Sequence, residues 1–155
     1  MSRSLSSIHT ETSYPHPPAA VWRALTDPVA LAAWLMPNDF RPELGHTFTF
    51  RTDPVPPLFD GVVHCEVIEL DPPHALAYTW RTPPTLDTIV RWELTETVVD
   101  GRPGTRVLGI HSGFDLGDPG QLAAFRAMSG GWGGGMVSLL DRVLADLANK
   151  TDKIN

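Results

Sequence analysis

Cysteine is almost missing from this chain. Cys65 is the only one in 155 residues. No disulfide can form within the chain, and no paired-cysteine metal site can exist. Positive charge is also short: 12 Lys and Arg stand against 18 Asp and Glu, a net charge of −6. A nucleic-acid binder needs a basic face to displace condensed counterions. A surface held to anionic lipid needs the same. Neither nucleic acid nor membrane is therefore expected as a partner. No apolar run approaches the roughly 18 residues that span a bilayer. No basic start followed by an apolar stretch marks a secretory signal, so the expected location is the cytoplasm. The six histidines are scattered, with no H-E-x-x-H, no G-x-S-x-G and no phosphate loop. No metal and no cofactor are expected.

Proline and glycine are plentiful, at 15 and 13. They imply many turns and many short strands. Hydrophobic residues at 42% and charged residues at 19% give an ordinary globular balance. The length suits one domain over residues 1–155, with the Ser-rich residues 1–7 expected to fray.

Along the chain, Ile8 to Tyr14 reads as an edge strand stopped by Pro15. Pro17 and Pro18 suit the first turn of a helix, where a missing N–H costs nothing. Val21, Trp22 and Leu25 share that helix's apolar face. Asp27 and Pro28 form an N-cap and first position for a second helix, with Leu31, Trp34 and Leu35 as its apolar face and Pro37 as its end. The period then changes to two. Strands are predicted over Thr47–Thr52, Val62–Leu70, a stretch alternating Leu76, Tyr78 and Trp80, Thr88–Val98, and Thr105–His111. Asp100-Gly101 signals a hairpin. Gln121 to about Ala148 is predicted helical, with an apolar stripe of Trp132, Met136, Leu140, Val143 and Leu147.

Four passages resemble a known family: PPAAVWRALTDPVALAAWL at 17–35; Asp39-Phe40 with Gly45 and Phe48; CEVIELDPPHALAYTW at 65–80; and HSGF at 111–114 with Gly131-Trp132 downstream. Together they are similar to the START-like helix-grip (SRPBCC) superfamily, and within it to the group named after the activator of the Hsp90 ATPase. The resemblance implies an α+β fold. About six strands would form a curved antiparallel sheet wrapped around a long C-terminal helix, with two short helices after the first strand. It also implies a cavity between sheet and helix that takes lipids, polyketides or other apolar molecules, and some members are cyclases.

Candidate site residues follow from which side chains face that interior. Trp34, Phe50, Tyr78, Trp80, Trp92 and Trp132 are expected inside, with Met136 on the helix. Each alone reads as core packing; the set reads as the wall of an apolar site. His111 shares a face with Val107 and Gly109 and points inward, as a structural histidine or a ligand's polar anchor. His64 and Glu66 share a strand face of undetermined side. Inward, Glu66 near a histidine would be an acid–base candidate; otherwise Cys65 and Val67 lie inside. Asp39, Arg41, Glu43 and Arg91 read as surface charges, Asp39 also as a clamp on the loop after the second helix. Leu58 and Phe59 form either a lid or a loop with chance apolar residues. The glycines at 130, 131 and 133–135 mark either a kink or a thin helix segment at a pocket mouth.

Three functions follow. The first is binding of a small, largely hydrophobic or aromatic molecule. The second is an enzyme on the same scaffold, a cyclase, dehydratase or hydrolase. The third is chaperone regulation by protein contact. The chain would be a monomer or a homodimer.

Overall fold

The structure is a computed structural model, described here for residues 5–56, 59–83, 86–130 and 140–148. Strand β1 (Leu5–Tyr14) leads into helices α1 (Pro18–Thr26) and α2 (Pro28–Trp34). Strands β2 (Thr47–Arg51), β3 (Val62–Asp71), β4 (Ala75–Thr82), β5 (Leu86–Val99) and β6 (Arg102–Asp115) follow, then helix α3 (Pro119–Gly130). Residues 140–148 are helical again. The six strands form one antiparallel sheet in the order β1-β6-β5-β4-β3-β2. This is the α+β arrangement that the sequence implies.

Local chemistry sets the boundaries. Pro17 and Pro18 start α1 without wasting a donor. Asp27 closes α1 through its N–H to the Arg23 carbonyl, and its carboxylate accepts the Val29 N–H at 3.0 Å to open α2. Asp118 does the same for α3, accepting from the Gly120 N–H at 2.8 Å, with Pro119 in the first turn. Asp100 and Gly101 both have positive φ, 52° and 76°. Val99 pairs with Arg102 across them, so this is the two-residue hairpin that Asp-Gly favours.

Three boundaries differ from the sequence reading. Leu5 to Ser7 are paired with β6 and not frayed. The last strand runs past His111 to Asp115, because a bulge lets it continue: Ser6 faces Phe114 and Ser7 faces Ser112, leaving Gly113 as the extra residue. Gly113 has φ +101°, a conformation that favours glycine. The predicted C-terminal helix is described only as α3 and residues 140–148. Trp132, Met136 and the glycines at 131 and 133–135 lie outside the described residues.

Helices and sheet share one core. Val21, Ala24 and Leu25 of α1 and Ala30, Leu31 and Trp34 of α2 are buried against the inner face of the sheet. Leu140, Val143 and Leu144 join them, with Phe125 and Met128 of α3 partly buried against the same cluster. Trp22 and Leu35 sit half-buried at its margin.

Candidate functional site

The inner face is built from alternate residues of neighbouring strands. Register aligns Trp92 of β5 with Leu76 of β4 and Gly109 of β6, Val90 with Tyr78 and His111, and Thr88 with Trp80. On the far side, Phe48 and Phe50 of β2 face Cys65 and Val63 of β3. Trp34, Phe50, Tyr78, Trp80, Trp92 and His111, six of the eight candidate residues, therefore meet in one buried layer, each at most 4% exposed.

Their rings touch in sequence. Trp34 meets Trp92 edge-on at 5.7 Å. Phe50 lies 5.9 Å from Tyr78 and 5.4 Å from Trp80. Trp80 lies 5.3 Å from His111, which packs 4.6 Å from Phe114, and Phe114 meets Phe125 of α3 at 5.2 Å. Such offset and edge-to-face pairs suit aromatic quadrupoles. Several polar ends pair inside the layer. Trp34 Nε1 donates to the Ala24 carbonyl at 2.8 Å, which ties α2 to α1. Trp92 Nε1 donates to the Tyr78 hydroxyl at 3.1 Å. His111 Nε2 lies 2.7 Å from the Thr88 hydroxyl, which also donates to the Trp80 carbonyl at 2.9 Å.

Among the described residues no charge enters this layer. Among the described residues the buried polar side chains are five threonines and His111. Burial pushes the His111 imidazole down to about pKa 3, so it is neutral at physiological pH. Burial raises the Tyr78 phenol and the Cys65 thiol and keeps both protonated. The thiol is inert by the same cause.

A cavity of about 10 Å³ lies among Ile8, Thr10, Val90, Trp92, Gly109 and His111, room for about one water. Gly109 is central to it. A Cβ there would fall 2.6 Å from Trp92 Cζ3 and 2.7 Å from Thr10 Oγ1. Gly109 is the seat of the Trp92 indole.

The outer face carries the charges. Val63, Cys65 and Val67 are buried, so His64 and Glu66 point outward. They line an open groove of about 380 Å³ with Asp39, Thr47, Thr49, Thr79 and Arg81. Glu66 and His111 are on opposite faces of the sheet, so the acid–base pair considered from sequence does not form. Arg91 is more than a surface charge. Its Nε donates to Glu69 Oε1 and its Nη1 to Glu93 Oε2, both at 2.8 Å. Ala77 pairs with both Glu69 and Arg91, so this bridge straddles it and leaves it 3% exposed. Asp39 is the clamp that the sequence suggested. Its carboxylate accepts the Thr49 N–H at 2.7 Å, which holds it below the usual carboxylate range. Phe59 forms a bridge with Val55 and packs partly buried on the core; Leu58 lies outside the described residues.

Period-two reading misses Phe114. Past His111 it sends residue 113 inward and 114 outward. The Gly113 bulge reverses this and buries Phe114 completely. The glycine inside a strand pattern was the available signal. Thr88 was also missed, although its parity with Val90 and Trp92 places it inside.

Among the described residues no helix is long and apolar enough to cross a membrane. Likewise no group of three or more His, Cys, Asp or Glu residues is arranged to hold a metal.

Solved structures with this fold support the assignment. Protein MLL2253 from Mesorhizobium loti is 32% identical, with 91% of this chain and 98% of that one covered at a TM-score of 0.77. Protein BH1534 from Bacillus halodurans is 28% identical over 93% and 99% of the two chains, TM-score 0.72. DynU16, a protein of the dynemicin biosynthetic locus, is 25% identical over 90% of this chain and 47% of its own, TM-score 0.67. No curated protein matches the sequence. The sequence model of the family described as "Activator of Hsp90 ATPase homolog 1-like protein" matches residues 15–145, and the chain belongs to that family.

Proposed function

We propose that the inner face of the sheet binds a small, largely apolar molecule, held between the strands and the helical residues 119–130 and 140–148. Trp34, Phe50, Tyr78, Trp80 and Trp92 supply the apolar wall, with Trp132 and Met136 assigned to the same site from sequence. The neutral His111–Thr88 pair is the polar anchor. One observation carries this reading: the buried layer is rich in aromatic rings, and its polar groups are uncharged. An apolar ligand loses no ion pair on entering such a layer, whereas a charged one would lose its hydration without compensation. The layer is incompletely filled beside Gly109 and Trp92, by a gap of about 10 Å³. Similarity to DynU16, a protein of a biosynthetic locus, agrees with a small-molecule ligand.

The test is a thermal-shift panel of medium-chain fatty acids and flat tricyclic aromatics, read together with tryptophan emission. A ligand present at 100 times its Kd stabilises the native state by about 2.7 kcal/mol. A bound compound should raise the midpoint and change the emission of Trp92. A panel in which nothing shifts either signal, while micromolar Hsp90 does, would replace this reading with a chaperone contact.

A further inference from the structure

The two edges of the sheet are treated differently. The β2 edge is closed by the segment before it. The Arg51 N–H donates to the Pro37 carbonyl at 2.9 Å, the Thr49 N–H is taken by Asp39, and Asn38 bridges to Phe50. Among the described residues the β1 edge is open. Its ten residues pair with β6 along one side, and among the described residues no backbone hydrogen bond reaches the other side. The strand LSSIHTETSY holds no proline, lysine or arginine, the residues that usually blunt a free edge. The bulge at Gly113 belongs to β6 and leaves β1 regular.

We propose that this edge pairs antiparallel with β1 of a second copy of the chain, with Thr10 opposite Thr10, joining two six-stranded sheets into one. The register follows from geometry and charge. Successive residues of a strand turn their N–H and C=O groups alternately to its two sides, and their side chains alternately to its two faces. In a symmetric pair only residues of like parity can therefore stand opposite each other. Three central registers satisfy this. With Thr10 on the axis, His9 stands opposite Glu11 twice, and Ile8 stands beside Thr12 on the inner face. A slip of two residues one way sets His9 against His9; the other way it sets Glu11 against Glu11. Only the Thr10 register sets an imidazole N–H against a carboxylate at both pairs, and the Glu11 register sets like charges opposite each other, which destabilises, so the Thr10 register wins. His9 and Glu11 are both exposed on the outer face. Arg106 donates to the Glu11 carboxylate at 2.6 Å, and this contact holds Glu11 as an anion ready to accept the partner's imidazole N–H.

Sedimentation equilibrium of the full chain tests the pairing, with circular dichroism to confirm that each variant is folded. One chain is 17.0 kDa; edge pairing is a small interface whose dissociation constant is expected on the order of 10–100 µM, so wild type at about 500 µM should approach twice that mass. His9→Glu puts two acids opposite each other at both pairs and should loosen the dimer about tenfold. His9→Lys keeps a donor opposite each Glu11 carboxylate and should leave the constant no more than about threefold weaker than wild type. Three results would overturn the proposal. One is wild type that stays monomeric at about 500 µM. Another is His9→Glu that associates as wild type does. The third is His9→Lys that loosens as much as His9→Glu, the mark of a register with His9 on the axis.

Discussion

The two faces of the same sheet follow opposite rules. The inner face stacks indole, phenol, benzyl and imidazole rings with neutral hydrogen bonds between them. The outer face carries the ion pairs Glu11–Arg106, Asp87–Arg81 and Glu69–Arg91–Glu93. Both faces come from alternate residues of the same strands, so the separation is written at a spacing of one residue. Trp92 lies inside, between Arg91 and Glu93 outside. The difference shows where stability and selectivity reside. Aromatic burial is worth several kcal/mol per side chain, while an exposed ion pair is worth about 0–1 kcal/mol. A ligand that meets only the inner face meets no formal charge.

The sharpest way to break this contrast is Trp92→Ala. It removes the edge contact with Trp34, the hydrogen bond to Tyr78 and the cover of Gly109. The expected loss is about 3–5 kcal/mol of unfolding free energy in urea melts. A loss below about 1 kcal/mol, the scale of surface substitutions, would mean that the inner layer is not the core.

The second effect is pH-dependent. His111 is neutral in the folded state because burial lowers its pKa to about 3, while an unfolded histidine takes up a proton near 6.5. Its contribution is therefore intact above about pH 6.5 and is lost as pH falls toward 3. The slope is at most about 1.4 kcal/mol per pH unit. His111→Gln, neutral throughout, should flatten the stability profile between pH 6.5 and 5 by up to about 2 kcal/mol. Parallel profiles for variant and wild type would place His111 in water.

The smallest effect belongs to the outer face. Arg106→Ala, which removes a half-exposed pair with Glu11, should shift the urea midpoint least of the three variants, and salt should shrink that shift further. A larger shift, insensitive to salt, would give the outer face a structural share that the comparison denies it.

Much of the fold is legible in the sequence because its signals are local. Asp27-Pro28 and Asp100-Gly101 carry their own turn chemistry, and the period change after residue 46 separates helices from sheet. What escapes is whatever depends on a partner strand. The side faced by His64 and Glu66 is set by their pairing with β2 and β4. A strand that alternates HCEVIEL carries apolar residues in both parities. Phe114 escapes because a single bulge residue reverses every side chain beyond it. Arg91 looks like a solvated charge until Glu69, 22 residues away, is brought beside it. The six described candidate residues lie together in the buried layer because each is on a strand or helix of unambiguous period.

The central claim is that the ligand lies on the inner face. Intermolecular NOEs between a bound apolar probe from the panel and the aromatic protons of the protein test it directly. The account predicts contacts to Trp92, Trp80 and His111, with none to Arg91 or Glu69. Contacts confined to the outer face, to Glu66, Thr79 or Arg81, would contradict it.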